Sequence, residues 1–196
     1  MKKAELILAI LILTGIVLSV LHLPGGAMLL VLIMPVLSMM YLCLGFALLN
    51  GIPLKNESYK GLSTMRIVGS VLSGIVFSIA LIGILFGWMM WPGASVMLLS
   101  SIAGLFIMLI VVLIKFFTKK DLFYRNMLIR IAVIGIPSLL LFADPSLAGK
   151  IKYGNNPELI QAIEEAEANP ENEELWRKVD SIKGLRNREY QQNNNR

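Results

Sequence analysis

The chain has 196 residues, of which 56% are apolar and only 16% charged, and its mean hydropathy is +0.71. Those proportions exclude an ordinary soluble domain of this size and place the chain among membrane proteins. The net charge of +5 is unevenly spread: residues 144–196 hold ten acids and eight bases, net −2, whereas everything before them sums to +7.

A helix rises about 1.5 Å per residue, so about 20 apolar residues are needed to cross a hydrocarbon layer of about 30 Å. The first candidate span covers residues 5–22. The opening "MKKAELILAILILTGIVL" has the basic head and apolar body of a secretory signal, but no small-x-small cleavage site closes it, so it is expected to persist as the first helix. The stretch "SVLHLPGGAMLL" then stops this helix. Proline cannot continue a helix without losing a hydrogen bond, and it pushes the preceding residue out of the helical region. Pro24 followed by Gly25 therefore predicts a tight reversal, because glycine permits the turn and one helix of about 45 apolar residues would overrun the bilayer.

The second span covers residues 27–49. It contains Pro35, which lacks a following glycine and predicts a kink, and Cys43, a lone thiol expected to pack as a small apolar group. A loop bearing Lys55, Lys60 and Arg66 leads to the third span, residues 67–90. There Ser70, Gly74 and Ser78 recur every four residues, as do Gly83 and Gly87, and Gly15 and Ser19 in the first span. Such rows let helix backbones approach closely and predict packing inside the chain. The second turn is "WPGAS", with Pro92 and Gly93, flanked by Trp88 and Trp91 where an interfacial aromatic belt belongs.

The fourth span covers residues 94–114. Lys115, Lys119, Lys120 and Arg125 follow it and are read chiefly as topology determinants, with contact to anionic headgroups as the alternative. The fifth candidate, residues 127–143, is shorter and carries Arg130 near its start, which a snorkelling side chain accommodates. Lys2 and Lys3 join the basic loops on one side, while both proline-glycine turns carry no fixed charge. The positive-inside rule then puts the N-terminus in the cytoplasm, the turns outside and, after a fifth crossing, the tail outside.

In residues 144–184 two helix starts share one design, at Asn156-Pro157-Glu158 and Asn169-Pro170-Glu171. Leu159, Ile160, Ile163 and Ala166 form one apolar stripe. Leu175, Trp176, Val179 and Ile182 form a second, a possible docking surface for a partner. These stripes must meet each other, the membrane surface or a partner. Residues 185–196 are polar and expected to be disordered.

The two turns align at a shift of 68 residues, which superposes Gly15 on Gly83, Ser19 on Gly87, His22 on Met90, Pro24 on Pro92 and Gly25 on Gly93. Both copies continue with Met-Leu-Leu, at Met28 and at Met97, after one extra residue in the second. The expected fold is thus an all-α polytopic membrane protein. Residues 1–143 form the membrane domain, with hairpin repeats at about 5–50 and 67–117.

"LHLPGGAMLL" and "MMWPGASVMLL" each resemble the histidine-tryptophan-proline-glycine turn of GldL-type proteins, membrane components of the Bacteroidetes gliding and type IX secretion motor. The resemblance covers residues 10–50 and 78–117, with His22 in one copy and Trp91 in the other. It implies a bacterial inner-membrane location, a cytoplasmic N-terminus, oligomeric helices, a single-span partner and an intramembrane glutamate coupled to proton flow. Here the only acid between Glu5 and Asp121 is Glu57, in the basic loop, so only the hairpin fold is carried over and the motor activity is not.

Chemistry is sparse. His22 is the only histidine, without a second histidine or a nearby cysteine or carboxylate on its side, so no metal site, cofactor or catalytic residue is expected. No nucleophile-elbow, zinc-protease, nucleotide-loop or dinucleotide motif occurs. The expected function is a non-catalytic scaffold or accessory subunit that assembles in the bilayer with other membrane proteins or with itself, with no nucleic-acid partner. A small channel or transporter for a neutral or lipid-like substrate is the alternative.

Overall fold

A computed structural model of the protein describes residues 2–53, 62–119, 121–154 and 156–194. Lys55, Lys60 and Lys120, three of the orienting lysines, lie outside them, as do Glu57 and the last two residues of the tail. Every regular element among the described residues is a helix. In chain order these are α1 (Lys2–Val20), α2 (Gly26–Asn50), α3 (Thr64–Met89), α4 (Ala94–Lys119), α5 (Leu122–Ala143), α6 (Leu147–Tyr153), α7 (Pro157–Ala168) and α8 (Glu173–Asn194). The first five are long and apolar enough to cross a membrane, so the protein is an all-α polytopic membrane protein.

Helix α3 is the centre of the bundle: α2, α4 and α5 pack against it, whereas α1 lies outside on α2. The closest approach is between α2 and α3. A Cβ on Gly74 would stand 2.5 Å from the Tyr41 carbonyl oxygen, and one on Gly45 would stand 2.9 Å from the Gly74 Cα. Only glycine allows this contact. Along the same seam the Ser38 hydroxyl meets the Ser78 hydroxyl at 2.8 Å, and Asn50 donates to Ser70 Oγ at 2.9 Å. The row Ser70, Gly74, Ser78 of α3 thus packs against α2.

The other small residues also sit between helices. Gly15 faces Leu30, Gly83 faces Leu98, Gly87 faces Leu141, and the backbone at Ser19 abuts Gly26. Around the seams Leu30, Leu37, Phe77, Leu81, Leu105 and Met127 fill the interior, and the outward faces carry Leu, Ile, Val, Met and Phe suited to lipid.

The two turns share one backbone conformation. In the first, His22 adopts φ 55°, its N–H bonds Ser19 O at 3.4 Å, and Leu23 N–H bonds Leu18 O at 2.9 Å. In the second, Met90 adopts φ 53°, bonds Gly87 O at 3.2 Å, and Trp91 N–H bonds Phe86 O at 2.9 Å. This is the Schellman closure, which satisfies carbonyls that a helix end leaves open. Pro24 and Pro92 follow, and then Gly25 (φ 90°) and Gly93 (φ 85°) start the return helices.

The equivalence corrects the alignment. Gly25 O accepts from Leu29 N–H and Gly93 O from Met97 N–H, and Leu30 and Leu98 are the matching core residues. The shift of 68 therefore continues past the turn. The two Met-Leu-Leu runs coincide in letters but differ by one position in space.

Three boundaries differ from the sequence reading. Helix α5 begins at Leu122, five residues before the expected 127, because Asp121 accepts from Phe123 N–H and caps it there. Asn156 caps α7 as expected, accepting from Glu158 N–H and Leu159 N–H, but Asn169 closes that helix instead of starting the next. Asn172 caps α8 by accepting from Glu174 N–H. The expected disorder from 185 onward is overturned for residues 185–194, which continue α8. Its ion pairs Lys183–Asp180 and Arg186–Glu189 at i,i+3 support that turn of helix.

Because nothing lies within 4 Å of a Cβ added at Gly25 or Gly93, substitution there has a purely conformational cost. Gly25→Ala and Gly93→Ala are each expected to destabilise by about 1–2 kcal/mol, and by the same amount. Thermal unfolding in detergent measures both; a clearly unequal loss contradicts the equivalence of the turns.

Candidate functional site

Polar groups gather in three places. At the end of the bundle opposite the turns, here called the basic end, Arg66 ties three helices together. Its Nε donates to Asn50 Oδ1 at 2.8 Å, its Nη1 reaches Asp121 Oδ2 at 3.1 Å, and its guanidinium lies 4.2 Å from the centre of the Phe123 ring. The ends of α2, α3 and α5 are thereby clamped.

The second cluster lies within the spans. Arg130 stands eight residues into α5, about 12 Å from its start. It grips Glu5 of α1 with both nitrogens, Nε to Oε1 at 2.8 Å and Nη2 to Oε2 at 2.7 Å. The Tyr41 hydroxyl of α2 also donates to Glu5 Oε1, at 2.5 Å. Both charged side chains are only 17% exposed. The sequence alone points to no acid inside the first four spans, and the structure corrects this: Glu5 lies in α1, and its carboxylate is bound inside the bundle. A charge in an apolar layer is tolerable when its partner and its remaining hydrogen bonds are supplied, and here three helices supply them.

The third cluster, the cap, joins the tail to the turn end. Two lysines from different tail helices donate to the last carbonyls of α3: Lys152 Nζ to Trp88 O at 2.6 Å and Lys183 Nζ to Met89 O at 3.1 Å. Cations are favoured at a helix C-terminus, where the open carbonyls carry partial negative charge. Beside them His22 of the first turn stacks on Tyr190 of α8, centroids 3.9 Å apart, with Tyr153 of α6 edge-on at 5.3 Å. Ser95, at the start of α4, donates to the Glu167 carboxylate. Beneath this polar layer Met90, Leu98 and Leu141 meet Leu159, Ile163, Trp176 and Val179.

The stripe read as a partner-docking surface is therefore turned inward. Trp176 is 7% exposed, Val179 0% and Ile182 7%, and Leu175 packs beside them. Of the destinations open to the two tail stripes, the apolar contact is with each other and with the turns. Trp88, expected in an interfacial aromatic belt, and His22 are likewise integrated into the cap. No sequence pattern announces the Glu5–Arg130 pair, whose partners lie 125 residues apart. A hint lies in the coincidence that the one acid and the one base inside apolar spans have opposite charge. No group of three metal-ligating side chains occurs among the described residues. The chain matches no family model, no curated protein and no solved structure.

The Glu5–Arg130 bridge should behave as a buried pair. Removing one member of a fully buried pair costs roughly 3–5 kcal/mol, and the residual exposure lowers the expectation for Glu5→Gln or Arg130→Gln to about 2–3 kcal/mol. Combining Glu5→Gln with Arg130→Met should recover much of that loss. A double variant as unstable as the sum of the single ones contradicts the pairing.

The cap should loosen in acid. Burial, reinforced by the charge of Lys183, pushes the Lys152 ammonium down to about 7 from 10.5. Burial also lowers His22 below 6.5, with the Lys152 charge adding to the effect and a Val20 backbone hydrogen bond opposing it. In both cases the undocked tail binds more protons than the docked one. Docking is therefore strengthened as pH rises from about 7 to 10.5 through Lys152, and weakened as pH falls through 6.5 through His22. Hydrogen exchange of α7 and α8 across pH 5 to 10, corrected for intrinsic rates, measures this. Lys152→Met should flatten the alkaline part of the profile, and an unchanged profile contradicts the assignment.

Proposed function

We propose that this membrane protein is a non-catalytic scaffold or accessory subunit of a bacterial inner membrane, assembling laterally with other membrane helices or with a second copy. The reading places the N-terminus and the basic end in the cytoplasm and the helical cap outside, in keeping with the distribution of lysine and arginine. The observation that carries it is the position of α1. Among its described residues only Gly15 is fully buried, and Leu6, Ile7, Ile10, Leu13 and Val17 face outward along its length. One edge of α1 is held by Gly15 on Leu30 and by the Glu5–Arg130 bridge, and the rest is a rigid apolar rod for a neighbouring helix.

The ionisable groups support the absence of catalysis or energy coupling in this reading. Glu5 is the one acid within the five spanning helices among the described residues, and its oxygens are engaged by Arg130 and Tyr41. Any kinship with GldL-type proteins would then extend to the hairpin turn and to assembly, with Glu5 a structural tie. Transport of a neutral or lipid-like substrate fits less well with an interior filled by Leu30, Phe77, Leu98 and Met127, each nearly or wholly inaccessible.

Purification from native membranes in mild detergent tests the proposal. A membrane protein, or a second copy, is expected to co-purify in fixed ratio and to be depleted several-fold by Leu13→Trp. That change keeps α1 apolar while enlarging its outward face. A chain that purifies alone and monomeric, with Leu13→Trp indistinguishable from the parent, contradicts it.

A further inference from the structure

We propose that the basic end holds one anionic phospholipid, its phosphate on Arg125 and the first carbons of an acyl chain against Phe117, at the same level of the bundle. Helices α4 and α5 are joined by only two residues, and their junction leaves an open groove of about 460 Å³ lined by Phe116, Phe117, Asp121, Leu122 and Arg125. Its walls are apolar side chains left in the open: Phe117 is 73% exposed and Leu122 62%.

The level of the groove is what a phospholipid requires. Helix α4 has 26 residues and so runs about 39 Å, against a hydrocarbon layer of about 30 Å. A chain entering that layer near Ala94 leaves it near residue 114, which puts Phe116 and Phe117 at the headgroup boundary. Aromatic walls there continue the acyl region upward, and a cation beside them meets the phosphate.

Charge decides between an anionic and a zwitterionic lipid. Asp121 lines the groove, but its Oδ2 is held by Arg66 at 3.1 Å and its Oδ1 by Phe123 N–H at 3.0 Å, so its charge is already matched. Arg125 is exposed and makes no ion pair with any described residue, and neither does Lys115, exposed on the last turns of α4. The groove therefore carries net positive charge. A guanidinium binds a phosphate through two parallel N–H donors, and Arg125 is the one guanidinium among the residues lining the groove.

The test uses the full chain reconstituted in nanodiscs containing phosphatidylglycerol or phosphatidylcholine of matched chains, then released into detergent for native mass spectrometry. One phosphatidylglycerol per chain should survive delipidation, and Arg125→Gln should weaken its retention about fivefold. Phe117→Ser should weaken it as well. Arg177→Gln in the tail should leave it unchanged, and helicity should be the same in all variants because the altered side chains are exposed. Equal retention of phosphatidylcholine overturns the proposal. So does phosphatidylglycerol retention indifferent to Arg125→Gln, or a second copy of the chain found in place of the lipid.

Discussion

The end of α3 is the constraint from which the upper half of the molecule is built. A helix leaves its final carbonyls without partners, and at a membrane face such groups must be met by the chain itself or by interfacial water. Here the Schellman closure at Met90 answers Phe86 O and Gly87 O, and two lysines answer Trp88 O and Met89 O. Because Lys152 belongs to α6 and Lys183 to α8, satisfying one helix end requires the tail to fold back over the turns. The apolar stripes of α7 and α8 then find Met90, Leu98 and Leu141 beneath them. A tail that lacks a core of its own acquires one by closing the bundle.

This closure is incomplete, which bears on its dynamics. His22 Nε2 and Trp88 Nε1 are buried in the cap without a hydrogen-bond partner among the described residues, and each such group costs on the order of 1–3 kcal/mol. Lys152 adds the cost of desolvating an ammonium at neutral pH, as its lowered titration range records. Stabilising and destabilising terms therefore meet at one place. The spans below show the opposite balance: Arg66 and Arg130 both have acidic partners and secondary hydrogen bonds. Among the described residues, the unmatched polar groups thus collect in the cap and the matched ion pairs of the spans lie below it.

What could be read from residues alone follows the range of the interactions. The spans, the two reversals and the first tail helix rest on local chemistry: apolar length, Pro-Gly, and Asn156 followed by Pro157. The tail's destination rests on contacts between Lys152 and Trp88, and between Tyr190 and His22, 64 and 168 positions apart. Such pairs leave no periodicity to detect. The same distinction explains the error at residues 185–194. Their composition is that of a disordered tail, but Tyr190 is anchored on a histidine near the other end of the chain, and that anchor outweighs local preference. Asn169 misled for a related reason. A cap residue before proline suits either the end of one helix or the start of the next, and the bonds of Asn169 N–H to Ala166 O and of Asn169 Nδ2 to Glu165 O assign it to the end of α7.

The repeat finally shows how one backbone can serve two purposes. His22 and Met90 occupy the same left-handed position, where a non-glycine residue carries strain of roughly 1–2 kcal/mol, so each must return something through its side chain. They do so differently. His22 turns its ring to Tyr190 and Tyr153, at the polar surface of the cap. Met90 is buried against Gly149 and the leucines of the second core, under the cap. Interchanging them would bury an imidazole among leucines and leave a thioether facing two tyrosines. Divergence at this pair of positions, together with the lysine contacts to the end of α3, gives the two turns unlike surfaces under the tail.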